Sequence, residues 1–438
     1  MTESDAGTSS TEPLAQPLAG VRILHVTLNG PAHNPRMLKE NRSYIDAGAE
    51  VFALVVGGQR NDDLREDIDG ATLLAYRLPR LGAIRAKIAS QTLFRSRNFR
   101  RHIDRAVTEI EPDVIQAHDM FVAGSVLASR TGIPVILDLH EHYPAAVEVY
   151  RTAYPPLKRL LFALFQHRRR MERVEKRFIN RSSLTLTVTE EASARVAKKC
   201  PTATVVTVPN VEVRDFGAQL GQPSALRAST PMHSETDELR LVYTGGFQVL
   251  RGLHTVVRAI ALLDRDDVHL DLIGARDSDY VRRLRREVDE LGVEQRVTLF
   301  DWIPREEVTA RIDSADLTLV PHEANDQTNA TLPHKLFQYM ARSKPVLVSS
   351  CPPLAKHVQA AESGFVFNAG DEHDCARAIQ SAVDNRADLT RLGENGRRYV
   401  TDTMNWELVS GPALIRAISE LMTTGPIRPD DSTSSLGS

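Results

Sequence analysis

The sequence predicts an α/β protein with two doubly wound parallel-sheet domains that face each other across a cleft. Apolar runs of strand length alternate with helical segments along most of the 438 residues, as in parallel sheets covered by helices on both faces. A chain of this length exceeds one ordinary hydrophobic core. A stretch rich in Gly, Pro, Ser and Thr, residues 217–237, has little periodicity and separates two such halves.

The first half opens as a βαβ unit, with a strand at 21–27, a helix at 37–47 and a strand at 50–56. The alternation of apolar strands and helices continues through the rest of this half. It includes two long helical stretches, of which the first is basic and the second precedes the last two strands. The later strands are 71–77, 113–117, 134–139, 183–189 and 204–208, and the helices are 84–110, 121–130 and 156–179.

The second half repeats the pattern. Its predicted strands are 240–244, 268–273, 297–300, 317–320, 345–349 and 364–367, and its helices are 252–263, 280–291, 305–313, 335–341 and 372–384. In open α/β sheets, ligands bind outside the carboxyl ends of the strands. Two such edges that meet would therefore enclose a substrate between the domains.

These elements predict six regions in order. They are a disordered leader at 1–19, an acceptor-side domain at 20–212, a linker at 213–238, a second domain at 239–404, a C-terminal helix at 405–422 and a disordered tail at 423–438. The leader and the tail are assigned from their polar composition and lack of periodicity.

Composition excludes several classes of protein. The chain has 54 Lys and Arg against 57 Asp and Glu, a net charge of -3, which argues against a general nucleic-acid binder. Its three cysteines, Cys200, Cys351 and Cys375, are widely separated and show no metal or disulfide spacing, so we expect a reducing, cytoplasmic compartment. No apolar run approaches the roughly 20 residues that span a bilayer. We expect a soluble protein or one peripheral to the inner face of the membrane.

The stretch 316–345 is the most informative part of the chain. A buried strand ends at Pro321, a loop follows, and Pro333 stands where a helix can begin without losing a hydrogen bond. The free N–H groups of that first helical turn, with Lys335 beside them, would hold an anion such as a phosphate. The alternative is an ordinary helix start with a solvated Lys335.

Several segments, by their order and spacing, resemble the glycosyltransferases of the GT-B architecture, two Rossmann-like domains, and in particular the retaining family 4. In the second half these are VYTGGFQVLRGL (242–253), LIG (272–274), VTLFDWIP (297–304), ADLTLVP (315–321), LPHKLFQYMA (332–341) and KPVL (344–347). Weaker landmarks in the first half are NPRMLKE (34–40), HD (118–119), DLHE (138–141) and VPN (208–210).

The resemblance implies a donor site for a nucleotide-diphosphate sugar, used as a co-substrate with no metal and no cofactor. The implied donor-binding residues are Gly245, Gly246, Arg251, Gly274, Pro333, His334, Lys335 and Gln338. An arginine can grip two phosphate oxygens at once, and glycines let the backbone approach the diphosphate. The chain departs from the family where two glutamates are common, because Ala330 and Gln338 stand there. Gln338 can still bond a sugar hydroxyl but carries no charge.

On the acceptor side, His118 and His140 close apolar strands and are expected to point into the cleft with Glu141, as the candidate catalytic residues. A structural role for a carboxylate at a strand end is the alternative. Residues 157–181 form a predicted amphipathic helix with a basic border, suited either to an anionic membrane surface or to core packing with a solvated basic face.

The predicted function is the transfer of a sugar to a polysaccharide or lipid-linked acceptor, with a nucleotide sugar as partner and no nucleic acid. Retaining members of the family are held to use attack on the same face, so no protein nucleophile is required. Two alternatives stay open. One is a sugar-nucleotide epimerase of the same architecture, and the other is a catalytically degenerate scaffold that binds sugar nucleotide.

Overall fold

The computed structural model describes residues 16–30, 34–129, 131–150, 165–216 and 238–424. The predicted leader and tail lie almost wholly outside these residues, as do most of the predicted linker and the apolar part of the predicted membrane segment, 157–164.

The first domain is built on one eight-stranded sheet with strand order β3-β4-β2-β1-β5-β6-β7-β8. Its strands are β1 (Arg22–Thr27), β2 (Glu50–Val55), β3 (Leu64–Ile68), β4 (Ala71–Ala75), β5 (Val114–His118), β6 (Val135–Leu139), β7 (Leu184–Thr187) and β8 (Val205–Thr207). Every pairing is parallel except that of β3 with β4, which is an antiparallel hairpin. The sequence analysis missed β3 because this edge strand, LREDI, is largely exposed and carries no apolar run.

The second domain is built on a six-stranded sheet with strand order β11-β10-β9-β12-β13-β14, parallel at every pairing. Its strands are β9 (Leu239–Thr244), β10 (Val268–Ala275), β11 (Val297–Asp301), β12 (Leu317–Val320), β13 (Val346–Ser349) and β14 (Gly364–Phe367). The predicted fold class, two α/β domains with parallel sheets, is confirmed.

Helices cover both sheets. In the first domain they are α1 (Pro35–Asp46), α2 (Arg80–Leu93), α3 (Arg97–Ile110), α4 (Met120–Val126), α5 (Tyr143–Tyr150), α6 (Arg168–Ile179) and α7 (Glu190–Lys199). After β9 they are α8 (Leu253–Leu262), α9 (Asp279–Glu290), α10 (Arg305–Ser314), α11 (His334–Ala341), α12 (Pro352–Ala361), α13 (Glu372–Asp384), α14 (Leu389–Asp402) and α15 (Gly411–Thr424). The helices α5, α7, α12 and α14 were not predicted from the sequence.

Two predicted long helices are interrupted. The stretch 84–110 is two helices, because Phe94 takes a left-handed conformation at φ 54° and the side chain of Ser96 caps α3 by accepting from the N–H of Phe99. In the stretch 156–179, α6 begins at Arg168, where the His167 side chain caps it. Local capping chemistry therefore overrode the continuous helical periodicity.

The C-terminal helix packs on the first domain, although it follows the second in sequence. A short π-helical turn, Trp406–Ser410, precedes α15, and α15 contacts α1 and β8. Trp406 Nε1 donates to Ser43 Oγ of α1 at 2.7 Å. Leu414, Ile418 and their neighbours join one buried cluster with residues of both domains, so the end of the chain helps to hold the two sheets in place. Every helix in the described ranges is too short or too polar to cross a bilayer.

Candidate functional site

A cavity of about 440 Å³ lies between the carboxyl ends of the two sheets. His140, Glu141 and Asn210 line it from the first domain, and the second domain contributes residues at the carboxyl ends of β9 and β10 and in the segments that follow β9, β11 and β12. The structure brings most of the predicted site residues to this one place. Gly245, Arg251, Gly274, Pro333, His334, Lys335 and Gln338 all line the cavity with His140 and Glu141.

Two cations stand on the wall formed by the second domain. Lys335 Nζ donates to the carbonyl oxygen of Thr244 at 2.6 Å and lies 3.8 Å from the centroid of the Tyr243 ring. Burial and the nearby Arg251 guanidinium lower the pKa of Lys335 well below its ordinary value. An anion placed here would reverse that effect, because it stabilises the protonated amine.

Arg251 is held in position by a buried histidine. Arg251 Nη1 lies 3.0 Å from His322 Nε2, and a guanidinium can only donate, so Nε2 is the acceptor. Burial and the charges of Arg251 and Lys335 lower the pKa of His322 well below its ordinary value, which keeps the ring neutral for that role. The sequence analysis missed His322, since its partner lies 71 residues away in the chain.

Gly245 lies close to Lys335, and Gly274 lies close to Gly245, so neither position has space for a side chain. A Cβ atom added at Gly245, where φ is 127°, would lie 2.7 Å from Lys335 Nζ. One added at Gly274, where φ is 113°, would lie 2.6 Å from the carbonyl oxygen of Gly245. Gly246 does not line the cavity, and a Cβ atom there would meet nothing within 4 Å. The two adjacent glycines predicted to bind the donor thus have different surroundings.

A carboxylate from the first domain meets the start of α11. Gln338 Nε2 donates to Glu212 Oε1 at 2.8 Å, and His334 Nδ1 lies 3.3 Å from the same oxygen. Lys39 Nζ of α1 lies 3.5 Å from Glu212 Oε2. Burial raises the pKa of Glu212, but the hydrogen bond from His334 and the charge of Lys39 outweigh it and lower the pKa. Nothing in the sequence marks Glu212, because its partners lie 126 and 173 residues away.

The glutamine that replaces the glutamate common in the family is therefore oriented. A carboxylate oxygen can face only the donor end of an amide, so the Gln338 NH₂ group points at Glu212. The amide oxygen of Gln338 is left to accept a hydrogen bond from a ligand in the cavity, which the Gln338 side chain lines.

Three histidines form a chain from the core of the first domain to the cavity. His25 Nδ1 lies 2.8 Å from His118 Nε2, and His118 Nδ1 lies 3.3 Å from His140 Nε2. The adjacent parallel strands β1, β5 and β6 place these residues side by side. His118 was expected to point into the cleft, but it is only 3% exposed and lies behind His140. Its role is thus to contact His140 and Asp138, 3.3 Å from its Nδ1.

His140 carries a positive charge at the cavity wall. Burial lowers its pKa, but the Asp138 carboxylate, 2.8 Å from its Nε2, and the more distant Asp119 raise the pKa to about 9. Arg36 lies beneath it, with Nε 2.9 Å from Glu40 Oε1 and Nη2 3.2 Å from Asp138 Oδ1. Burial and Asp138 raise the pKa of Glu40 to about 8, against the opposing charge of Arg36.

Two groups of side chains have the spacing of metal ligands within the described residues. They are His25, Glu40 and His118, and His118, Asp138 and His140. The Arg36 guanidinium already pairs with the carboxylate in each group, and a divalent cation there would meet that positive charge. The arrangement therefore favours an ion-pair network over metal binding.

Neither Trp302 as a lining residue nor the partner of Glu141 in the second domain was predicted from the sequence. Trp302, which follows β11, lines the cavity and is 65% exposed, with Arg276 stacked 4.5 Å from its ring centroid. Glu141 faces the second domain, where Gln327 Nε2 donates to it at 3.4 Å. The signal for Trp302 was present, since a large aromatic residue stands directly after a strand end.

Comparisons with known proteins agree with this architecture. A family model described as glycosyl transferases group 1 matches residues 230–399, and one described as Glycosyltransferase Family 4 matches residues 42–211. D-inositol 3-phosphate glycosyltransferase of Corynebacterium glutamicum is 26% identical over 186 residues, 40% of this chain and 41% of that relative. The lipopolysaccharide core biosynthesis glycosyltransferase LpsE of Rhizobium meliloti is 24% identical over 166 residues, 38% of this chain and 46% of that relative. The matched part of the chain spans less than half the length of these two curated relatives.

Solved structures are similar over nearly the whole chain. Sucrose-phosphate synthase of Thermosynechococcus elongatus aligns with a TM-score of 0.69 at 19% identity, over 92% of this chain and 98% of its own. HepE of Anabaena, solved in complex with UDP-glucose, aligns with a TM-score of 0.64 at 14% identity, over 92% of this chain and 99% of its own. At these identities the likeness establishes a common fold.

Proposed function

We propose that this chain, a GT-B glycosyltransferase that resembles family 4, transfers a sugar from a nucleotide-diphosphate sugar to a glycan or lipid-linked acceptor with retention. The observation that carries the proposal is the convergence of Arg251, Lys335 and the first turn of α11 on a cavity between two sheets. A diphosphate offers the negative charge that this wall is built to receive.

The leaving group is the donor's diphosphate. As the bond between the anomeric carbon and the phosphate oxygen breaks, negative charge grows on that oxygen, and the guanidinium of Arg251 and the ammonium of Lys335 stabilise it. The acceptor hydroxyl forms the new bond on the same face and gives its proton to the departing phosphate. This step needs no protein nucleophile and no metal ion, because the cations of the chain supply the charge.

His140 acts at the opposite wall. Its imidazolium, held by Asp138 at 2.8 Å, places a fixed positive charge and one N–H donor where the transferred sugar and the acceptor would meet. We assign it a binding and orienting role, with Glu141 beside it as an acceptor for a sugar hydroxyl. His118 supports His140 from behind.

The choice of acceptor rests on one relative. LpsE takes part in lipopolysaccharide core biosynthesis. A cell-envelope polysaccharide or lipid-linked acceptor is consistent with that role. UDP-glucose is the first donor to test, since HepE was solved with it.

A second candidate is a sugar-nucleotide-binding scaffold without catalysis. The observation that favours it is the neutral pair Ala330 and Gln338, where the family often has two glutamates. The orientation of Gln338 by Glu212 argues for a site adapted to glutamine. The epimerase alternative differs in a simple way, because it would turn over donor with no acceptor present.

Isothermal titration calorimetry against UDP-linked and GDP-linked sugars tests donor binding directly. One nucleotide sugar should bind to the wild type, and R251A and K335A should each weaken it by tenfold or more, since a charge-assisted hydrogen bond contributes about 1.5–3 kcal/mol. R391A is the matched control, because Arg391 is an exposed cation of the same domain that pairs only with Asp388 among the contacts described. Equal binding by all three variants, or no binding by the wild type, would overturn the proposal.

A further inference from the structure

The helix α2 of the first domain exposes large apolar side chains and buries small ones. Nine large apolar side chains are strongly exposed among the described residues, and four of them lie in this helix: Leu81 at 59%, Ile84 at 47%, Ile88 at 49% and Leu93 at 55%. Its buried residues are Ala86, Ser90 and Thr92. A surface helix ordinarily turns its apolar side inward, so α2 presents the reverse pattern.

Three of these side chains form one strip. Leu81, Ile84 and Ile88 are three and four residues apart, which places them within about 60° of arc on one side of the helix. On the same wheel, Arg85 lies next to one edge of the strip, and Arg80 and Lys87 lie next to the other. All three cations are exposed, and none makes an ion pair with another described residue. The strip is an apolar band with a basic border.

The surrounding surface is strongly positive. Residues 77–101 contain eight Lys and Arg and no Asp or Glu, although the whole chain has a net charge of -3. The cations continue into α3 with Arg97, Arg100 and Arg101. Of these, Arg100 has an acidic neighbour, Asp104 at 3.7 Å. Positive charge is therefore concentrated in the part of the chain that also carries the apolar strip.

We propose that α2 is a docking surface for a membrane rich in anionic lipid, with Leu81, Ile84 and Ile88 entering the region of the headgroups and acyl chains. Basic side chains that border an apolar strip bind lipid phosphates while their stems stay with the apolar side chains. Nucleic acid would satisfy the cations but not the apolar strip. A second copy of the chain would bring two such positive faces together.

The helix is firmly attached to the wall of the cleft. It packs on α3 and α4, and Ser90 Oγ donates to the carbonyl oxygen of Phe121 at 2.6 Å. Phe121 packs edge to face on Tyr143, whose hydroxyl donates to Asp119 at 2.7 Å, close to His140. Docking of α2 would therefore bring the acceptor side of the cavity near the membrane surface.

This surface differs from the membrane segment predicted from the sequence. The described part of that segment, α6, buries Met171, Phe178 and Ile179 in the core of the first domain. Arg168 of α6 pairs with Asp326 of the second domain. Among the described residues, α2 is thus a better candidate than α6 for contact with lipid.

Flotation with vesicles tests the proposal. The full chain should float with vesicles in which about a third of the lipid is phosphatidylglycerol and should stay unbound with phosphatidylcholine alone. The variant L81Q/I84Q/I88Q should bind at least tenfold more weakly. The matched control, L262Q/L291Q, replaces leucines of the second domain that are 46% and 40% exposed, and it should float like the wild type.

The variant R80E/R85E/K87E tests the basic border of the strip. It should bind anionic vesicles roughly a hundredfold more weakly than the wild type, and high salt should remove the binding that remains. Because the native cysteines are buried, I84C can be labelled selectively with an environment-sensitive fluorophore. Its emission should be that of a probe in water and should shift to the blue when anionic vesicles are added.

Three outcomes would overturn the proposal: equal flotation by the wild type and L81Q/I84Q/I88Q, equal flotation with both lipid compositions, or blue-shifted emission from the labelled I84C variant before vesicles are added. The last outcome would show that another part of the chain, such as residues 151–164, or a second copy covers the strip. Nucleotide-sugar binding measured on the same variants should be unchanged, so failure here is distinct from failure of the proposed function.

Discussion

The change Gln338→Glu restores the carboxylate common in the family, and the structure predicts that it will damage this protein. Gln338 Nε2 donates to Glu212 Oε1 at 2.8 Å. The substitution replaces that donor with a second carboxylate oxygen at hydrogen-bonding distance from the first. Two buried carboxylates at this spacing cannot both ionise without strong repulsion.

The loss of stability can be estimated from the two states open to the carboxylate pair, in which either both groups are ionised or they share one proton. At about 4 Å and an effective dielectric constant near 20, two like charges repel by about 4 kcal/mol. A shared proton avoids the repulsion. Keeping a carboxyl group of ordinary pKa protonated at pH 7 costs a similar free energy, however, because the pH lies well above that pKa. Lys39 and His334, 3.5 Å and 3.3 Å from the oxygens of Glu212, offset part of this. We expect a loss of about 2–4 kcal/mol in the free energy of unfolding at pH 7.

The loss should depend on pH with a definite sign. The raised pKa of the carboxylate pair means that the folded variant keeps a proton that the unfolded chain releases above about pH 4.3. The variant therefore loses stability as the pH rises from that value, and its deficit at pH 5 should be about 1 kcal/mol or less. In the wild type the pKa of Glu212 is lowered, so its contribution to stability is present at neutral pH and lost as the pH falls.

Urea denaturation at pH 5 and pH 7 measures this difference, and calorimetry at pH 7 measures donor binding, which should weaken with the misplaced side chain. The exchanged variant E212Q/Q338E again places one carboxylate opposite one amide, so it should recover part of the lost stability. A Q338E variant as stable as the wild type at both pH values, or one with much faster turnover, would show that Glu212 does not orient residue 338.

Three further predictions concern the cavity. G245A should weaken donor binding by about tenfold or more, because a φ of 127° strains an alanine and the added Cβ atom, 2.7 Å from Lys335 Nζ, would displace that amine. G246A, with open space around it, should change the dissociation constant by less than about threefold, and equal effects of the two changes would contradict this. Calorimetry in buffers of different ionisation enthalpy should show proton uptake on donor binding once the pH exceeds the lowered pKa of Lys335. A diphosphate beside the amine raises that pKa, so donor affinity should fall as the pH rises. H140Q should lower the free energy of unfolding by about 3 kcal/mol below pH 6.5, because burial lowers the pKa of His140 but Asp138 and Asp119 outweigh it and raise the pKa to about 9. The difference between wild type and variant should shrink as the pH rises from 6.5 through 9, and a constant difference would refute the charged state.

The fold could be predicted because it depends on local patterns. The run Leu317–Val320 and the helix that starts after Pro333 lie where the apolar periodicity and the proline place them. The edge strand β3 was missed because its side chains face solvent and need not be apolar. The packing of α15 on the first domain was missed because no local signal says which core a terminal apolar helix will join.

The candidate site was predictable as a set of residues but not as an arrangement. His118 and His140 look alike in sequence, since each closes an apolar strand. Their difference arises from the sheet, where β5 lies between β1 and β6, so that His118 is enclosed by His25 and Asp138 while His140 remains at the edge. Contacts such as that of Lys335 with Thr244, 91 residues apart, are set by the tertiary fold alone.

Glu212 links the arrangement of the two domains to the geometry of the donor site. Its carboxylate contacts Lys39 of the first domain and Gln338 of the second, while its carbonyl oxygen accepts from the Trp406 N–H at 2.9 Å. One residue therefore contacts α1, the start of α11 and the segment that leads into α15. A movement that separates α1 from α11 would break the contact of Glu212 with Gln338 or its contact with Lys39. The closed arrangement therefore orients the Gln338 amide, so donor affinity should depend on closure of the two domains.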